Sequence, residues 1–167
     1  MIEACYVVDT NFFIMYHRDL LPPDLYPPFW DRLKDLGIQG KWLLLECVKE
    51  ELLRGNDFLV DWIKDPMLPS VPIHDDLTIQ SYRKILQRLR DEQYYEEPII
   101  ANYADCADSW LVAFAHAHDA VIVTREIPNL KKKARVKIPD IAKVHGVKTM
   151  TVNEYMRQPD IRFCFRL

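Results

Sequence analysis

Short apolar runs recur along this chain, and each stands beside helix-forming sequence. That alternation restricts the fold more than any other feature. "ACYVV" (Ala4 to Val8) and the run from Trp42 to Leu45 are unbroken, as strands buried on both faces of a parallel sheet are. The second leads into "ECVKEELLRG", a helical stretch closed by Gly55 in C-cap position. A third unit reverses the order, with Asp108 to His118 as a buried helix and Ala120 to Val123 as a strand. The last run, Val147 to Val152, follows the short helix "PDIAKVHG", whose Pro139 suits a first helical turn. The expected fold is α/β, a three-layer sandwich around a central, mostly parallel sheet.

Two helical patterns without strands lie in the middle of the chain. Asp57 to Lys64 gathers Phe58, Leu59 and Trp62 on one side, and Leu77 to Gln93 spaces Leu77, Tyr82, Ile85 and Leu89 at helical intervals. They are expected to form an inserted helical pair. Prolines concentrate in "LPPDLYPP" and from Pro66 to Pro72, positions that read as turns. With 49% hydrophobic residues, only four glycines and no repetitive tract, residues 1–167 read as one domain. No stretch nears the roughly 18 apolar residues of a membrane span. The start also lacks a basic-then-apolar secretory layout, so a cytoplasmic protein without a membrane partner is expected.

Cys5, Cys47, Cys106 and Cys164 form no CxxC pair and have no His at zinc-ligand spacing. Small buried thiols are expected, and zinc or redox chemistry is disfavoured. Trp30, Trp42, Trp62 and Trp110 sit in apolar patterns that suit a core. His116 and His118, two residues apart, do not share a helical face.

The acidic residues are placed differently. In an open parallel sheet the carboxyl ends of the strands share an edge where ligands bind. Asp9 and Glu126 each follow an apolar strand, so both fall on that edge. Asp108 opens a helix that reaches the same edge if it runs antiparallel to the strands, with Asp105 as its cap. Glu50 and Glu51 lie on the helix after the second strand, where one side chain per turn points inward. Two carboxylates about 4 Å apart repel by about 4 kcal/mol at an effective dielectric near 20. Something positive must therefore sit among them. Hard oxygen donors suit Mg²⁺ or Mn²⁺, and two such ions can activate a water and stabilise the leaving oxygen of a phosphodiester. Asp9 equally suits capping the helix that begins "TNFFIM", and the sequence leaves both roles open.

Taken together, these segments resemble the PIN-domain nucleases, most closely VapC-like toxins or a nearby branch. "YVVDTNFFI" resembles the family's opening strand, "VKEELLRG" its acid-leucine-glycine pattern, and "ADSWLVAFAHAHDAVIVTRE" its helix and strand. "KIPDIAKVHGV" is similar to the same branch. The resemblance implies strand order 3-2-1-4-5, Mg²⁺ or Mn²⁺ dependence and endonucleolytic cleavage of RNA. It singles out Glu51 over Glu50, makes Asp9, Asp108 and Glu126 the metal ligands, and has Glu51 complete the acidic site. The family commonly carries Asp where this chain has Glu126. Asn11 and Thr124 would orient carboxylates or the attacked phosphate, or simply make turn hydrogen bonds. A cognate antitoxin and a homodimer are further implications.

The formal net charge is -3, but neutralising four clustered acids leaves the rest weakly positive, so a polyanion is not excluded. Lys131, Lys132, Lys133 and Arg135 in "LKKKARVK" follow Glu126 closely. They suit nucleic-acid backbone contact, although a solvated charge run is the ordinary alternative. A haloacid-dehalogenase-type phosphatase needs a second Asp where Asn11 stands, and a receiver domain wants Lys at the strand end held by Thr124. The non-enzymatic alternative is a degenerate PIN-like module that acts by binding a protein partner.

Overall fold

The computed structural model of the chain describes residues 5–128 and 134–161. Strand β1 (Tyr6–Val8) is followed by α1 (Thr10–Met15) and a π-helical turn, Tyr16–Leu20. Then come α2 (Pro27–Ile38), β2 (Leu44–Leu45), α3 (Glu46–Leu52), α4 (Phe58–Ile63) and β3 (Ser70–Val71). Helices α5 (Asp76–Asp91), α6 (Glu97–Ala104) and α7 (Ala107–Ala117) precede β4 (Val121–Val123). The described chain closes with α8 (Ile138–Val144), β5 (Thr149–Met150) and α9 (Val152–Met156). It is an α/β arrangement with parallel strands, as the alternation of apolar runs and helices implies.

Every strand pairing among the described residues is parallel. β4 lies between β1 and β5, and β2 pairs with β3. A parallel bridge between Val7 and Leu43 joins β1 to the residue before β2, with Leu43 N donating to Tyr6 O at 2.8 Å. Register fixes the functional edge. Because Val8 stands opposite Val123, the next residues, Asp9 and Thr124, emerge side by side.

One side of the core is aromatic. Phe13 lies 5.4 Å from Trp42 and 5.9 Å from Trp62, ring centre to ring centre, and Trp30 lies 5.4 Å from Trp62. The indole N–H groups do not go unpaired: Trp30 donates to Leu21 O at 2.8 Å and Trp42 to Leu33 O at 2.9 Å. Gly37 lets α2 approach closely, since a Cβ there would stand 2.6 Å from Leu68 Cδ1 and 2.7 Å from Trp42 Cζ2. Trp110 is only half-buried and stacks on Tyr82 at 4.0 Å.

Several sequence expectations change. The stretch from Pro66 to Pro72 contains β3, because two non-proline residues suffice to extend the ladder beside β2. The helices expected near 57–64 and 77–93 are present, but β3 separates them and α5 packs along α7. Asp105 is the C-cap of α6, and Cys106 takes the N-cap of α7, since a break of only two residues separates those helices. Cys5, Cys47 and Cys106 are free thiols; Cys47 is buried and Cys106 exposed. Lys131, Lys132, Lys133 and Cys164 lie outside the described residues. Among the described residues no helix is long and apolar enough to cross a membrane.

Candidate active site

Asp9 sits directly after β1, where the chain turns from strand into α1, and it is 1% exposed. Its two oxygens are used differently. Oδ1 accepts from the backbone N–H of Asn11, which makes Asp9 the N-cap of α1. Oδ2 accepts from Thr124 Oγ1 at 2.6 Å, across the ends of the paired strands. Thr124 in turn accepts from Glu126 N at 3.0 Å, so one buried hydroxyl links both strand-end acids. Asn11 contributes its backbone, while its exposed side chain borders the crevice.

Glu51 reaches the site from α3. Its Oε2 accepts from Thr10 Oγ1 at 2.5 Å. Thr10 is a buried residue that sequence reasoning passed over, although its place directly after Asp9 on α1 was the available signal. Asp108 comes from the first turn of α7, where a carboxylate is favoured electrostatically. Glu126 turns towards the start of α8, and its Oε2 accepts from Ile138 N at 2.9 Å. Glutamate's added methylene gives the carboxylate the reach for a helix N-terminus, a partner the sequence did not suggest.

Among the described residues, Arg135 is a cation that pairs with two of these acids. It hydrogen-bonds Glu126 Oε1 and lies 3.7 Å from Asp108 Oδ2. The sequence placed Arg135 in a basic run just beyond Glu126, suited to phosphate contact, and did not suggest that it pairs with two of the acids. Like charge still dominates. Burial, opposed by hydrogen bonds from Thr124 and Asn11 and reinforced by Glu126 and Glu51, raises the Asp9 carboxyl to about 6. Burial together with Asp9, Glu126 and Glu51 raises Asp108 to about 7, even though Arg135 pulls the other way. The four acids therefore feel one another.

Thr10, Glu51, Tyr103, Asp108 and Arg135 are among the residues around a cavity of about 320 Å³ at this edge. Among the described residues no three His, Cys, Asp or Glu side chains stand as a ready set of metal ligands. The donor chemistry nonetheless fits a hard divalent cation. It consists of carboxylate oxygens that repel one another and, among the described residues, are partly compensated by Arg135.

A chain in the crystal structure of VapBC2 from Rickettsia felis bound to a DNA fragment from their promoter is similar to this one. The likeness covers 88% of this chain and 98% of that one, at 14% identity and a TM-score of 0.53. It supports a PIN-like, VapC-like fold. No curated protein matches the sequence. Residues 6–163 match the family described as a domain of unknown function, DUF4411, and the chain belongs to that family.

Proposed function

We infer that this protein is a metal-dependent endoribonuclease that hydrolyses RNA phosphodiester bonds, and that it serves as the toxin of a toxin–antitoxin pair. The single observation behind this reading is the mutual repulsion of Asp9, Glu51, Asp108 and Glu126 at one crevice. A protein gains no stability from such an arrangement, and perturbed acids in a cleft mark functional sites. The parallel ladders, joined by the Val7–Leu43 bridge, support reading one three-layer sandwich of order 3-2-1-4-5.

In this reading Asp9, Asp108 and Glu126 would hold Mg²⁺ or Mn²⁺, and Glu51 completes the negative wall. Such ions would supply an activated water and stabilisation for the leaving oxygen, as in a two-metal mechanism. The chain's own residues do the positioning. Thr124 fixes Asp9 Oδ2, Thr10 fixes Glu51, and the N-terminus of α8 fixes Glu126. Arg135 partly neutralises Glu126 and Asp108 and lies where a substrate phosphate would enter. Lys131, Lys132 and Lys133, close in sequence, add sequence-independent backbone contact. A cognate antitoxin, a homodimer and a cytoplasmic location complete the reading; the VapBC2 assembly supports the first.

Arg135 also favours a second reading, because an arginine paired with two of the acids suits a degenerate module that binds a partner without cleaving RNA. One assay separates the two. Wild type, Asp9→Asn and Asp108→Asn are compared on single-stranded and structured RNA with Mg²⁺, Mn²⁺ or chelator. Cleavage by wild type alone, abolished by chelator, supports the nuclease. Cleavage that survives both substitutions removes the proposed mechanism, and none by wild type leaves the binding module.

A further inference from the structure

Tyr103 lies on α6, outside the set of acids and their hydrogen-bond partners. The residue is 4% exposed, and its hydroxyl is buried without a hydrogen-bond partner among the described residues. Buried hydroxyls are ordinarily paired, so an orphan calls for an explanation. Tyr103 also lines the acid crevice together with Glu51, Asp108 and Arg135. Asp108 and Glu126 both bear electrostatically on its phenol. A phenol at neutral pH is a donor as well as an acceptor, whereas the surrounding carboxylates, when ionised, can only accept.

We propose that the Tyr103 hydroxyl is a substrate-binding donor, kept unpaired in the free protein and satisfied by a non-bridging oxygen of the RNA phosphate entering the crevice. This inference rests on the nuclease reading and adds a residue to it. A phosphate approaching a negative wall needs donors that do not depend on the metal. Among the described residues that line the crevice, the charged guanidinium of Arg135, the amides of Asn11 and Asn102 and the neutral O–H of Tyr103 are such donors, and of these only the Tyr103 hydroxyl is buried and unpaired. The hydroxyl is buried, so the rim must open to admit a phosphate oxygen, and Arg135, with its side chain 57% exposed, is able to swing. The neutral donor adds no cation to the metal locus, so it strengthens phosphate binding without competing for the acids.

The test is Tyr103→Phe, which keeps the ring and removes only the hydroxyl. Binding of a fluorescent single-stranded RNA is measured with Ca²⁺ in place of Mg²⁺, alongside the Tm of the free protein and its Mn²⁺ affinity. Removing an unpaired buried hydroxyl leaves Tm equal or higher. The expected result is that unchanged or raised Tm, unchanged Mn²⁺ affinity and RNA binding weakened by ~10-fold or more, the loss of one hydrogen bond to a charged acceptor. Equal RNA affinity in variant and wild type overturns the role of Tyr103 alone. A lowered Tm also overturns it, because the hydroxyl would then be paired in the free protein. Wild type that binds Mn²⁺ but no RNA overturns this inference and the nuclease reading together.

Discussion

Asp75, the N-cap of α5, and Asp108, in the first turn of α7, are the same residue at similar helix positions, yet their surroundings drive them in opposite directions. Asp75 accepts from Thr78 N at 3.0 Å and Thr78 Oγ1 at 2.6 Å, with His118 Nε2 at 3.3 Å. Those partners, the Thr78 hydroxyl first, pull its carboxyl down to about 2. The seam continues with Ser81 Oγ and His116 Nδ1 at 2.9 Å, so its polar groups find partners across α5 and α7. At the strand ends, burial and three other acids push Asp108 up to about 7. The seam uses polar residues to join two helices. The crevice gathers them against their own electrostatic preference, which is useful only if a ligand completes the arrangement.

The largest expected effect breaks the comparison on function. Asp108→Asn lowers metal-dependent RNA cleavage by ~10²–10³-fold, the scale for removing one electrostatic group from an active site, while Asp75→Asn leaves cleavage unchanged. A gel assay with a labelled RNA reads both, and equal losses would erase the distinction between the clusters. Stability is expected to show the reverse. Asp75→Ala removes an N-cap and costs about 1 kcal/mol, whereas Asp108→Asn relieves repulsion and does not destabilise the metal-free protein. Denaturant unfolding checks this pair.

A smaller effect is the pH dependence of metal-free stability, which has opposite signs for the two regions. Asp9 and Asp108 are raised in the folded protein, so folding is favoured while they are protonated. Their contribution is fully present below about pH 4 and is lost as pH rises through about 6 and about 7. Asp75 is lowered, so its contribution is present above about pH 4 and is lost as pH falls towards about 2. Unfolding followed from pH 3 to 8 should show Asp108→Asn flattening the upper slope and Asp75→Asn the lower. No change in either slope would contradict the assignments.

How much of this was legible in the sequence depended on whether the signal was local. The strand at Tyr6–Val8 and the helix-strand unit ending at Val123 are nearly unbroken apolar segments with acids at their ends, and that local contrast exposes them. The register that sets Asp9 beside Thr124 follows from those strands ending level. β3 was hidden because Ser70 and Val71 between prolines carry no alternation, and only the neighbouring β2 makes them a strand. Arg135 looked like one member of a basic run, since its turn towards Glu126 depends on how the chain re-enters at α8. Thr10 and Tyr103 carry no charge pattern; what singles them out is a partner across the fold for Thr10 and, among the described residues, the lack of one for the Tyr103 hydroxyl.

The most direct test of the central claim is a Mn²⁺ titration followed by electron paramagnetic resonance of the free ion. Wild type is compared with the Asp9→Asn, Asp108→Asn double variant, with Asp75→Asn as a control. If the strand-end acids form a divalent-cation site, wild type and Asp75→Asn deplete free Mn²⁺ saturably and the double variant does not. Equal depletion by all three proteins, or by none, would contradict the account.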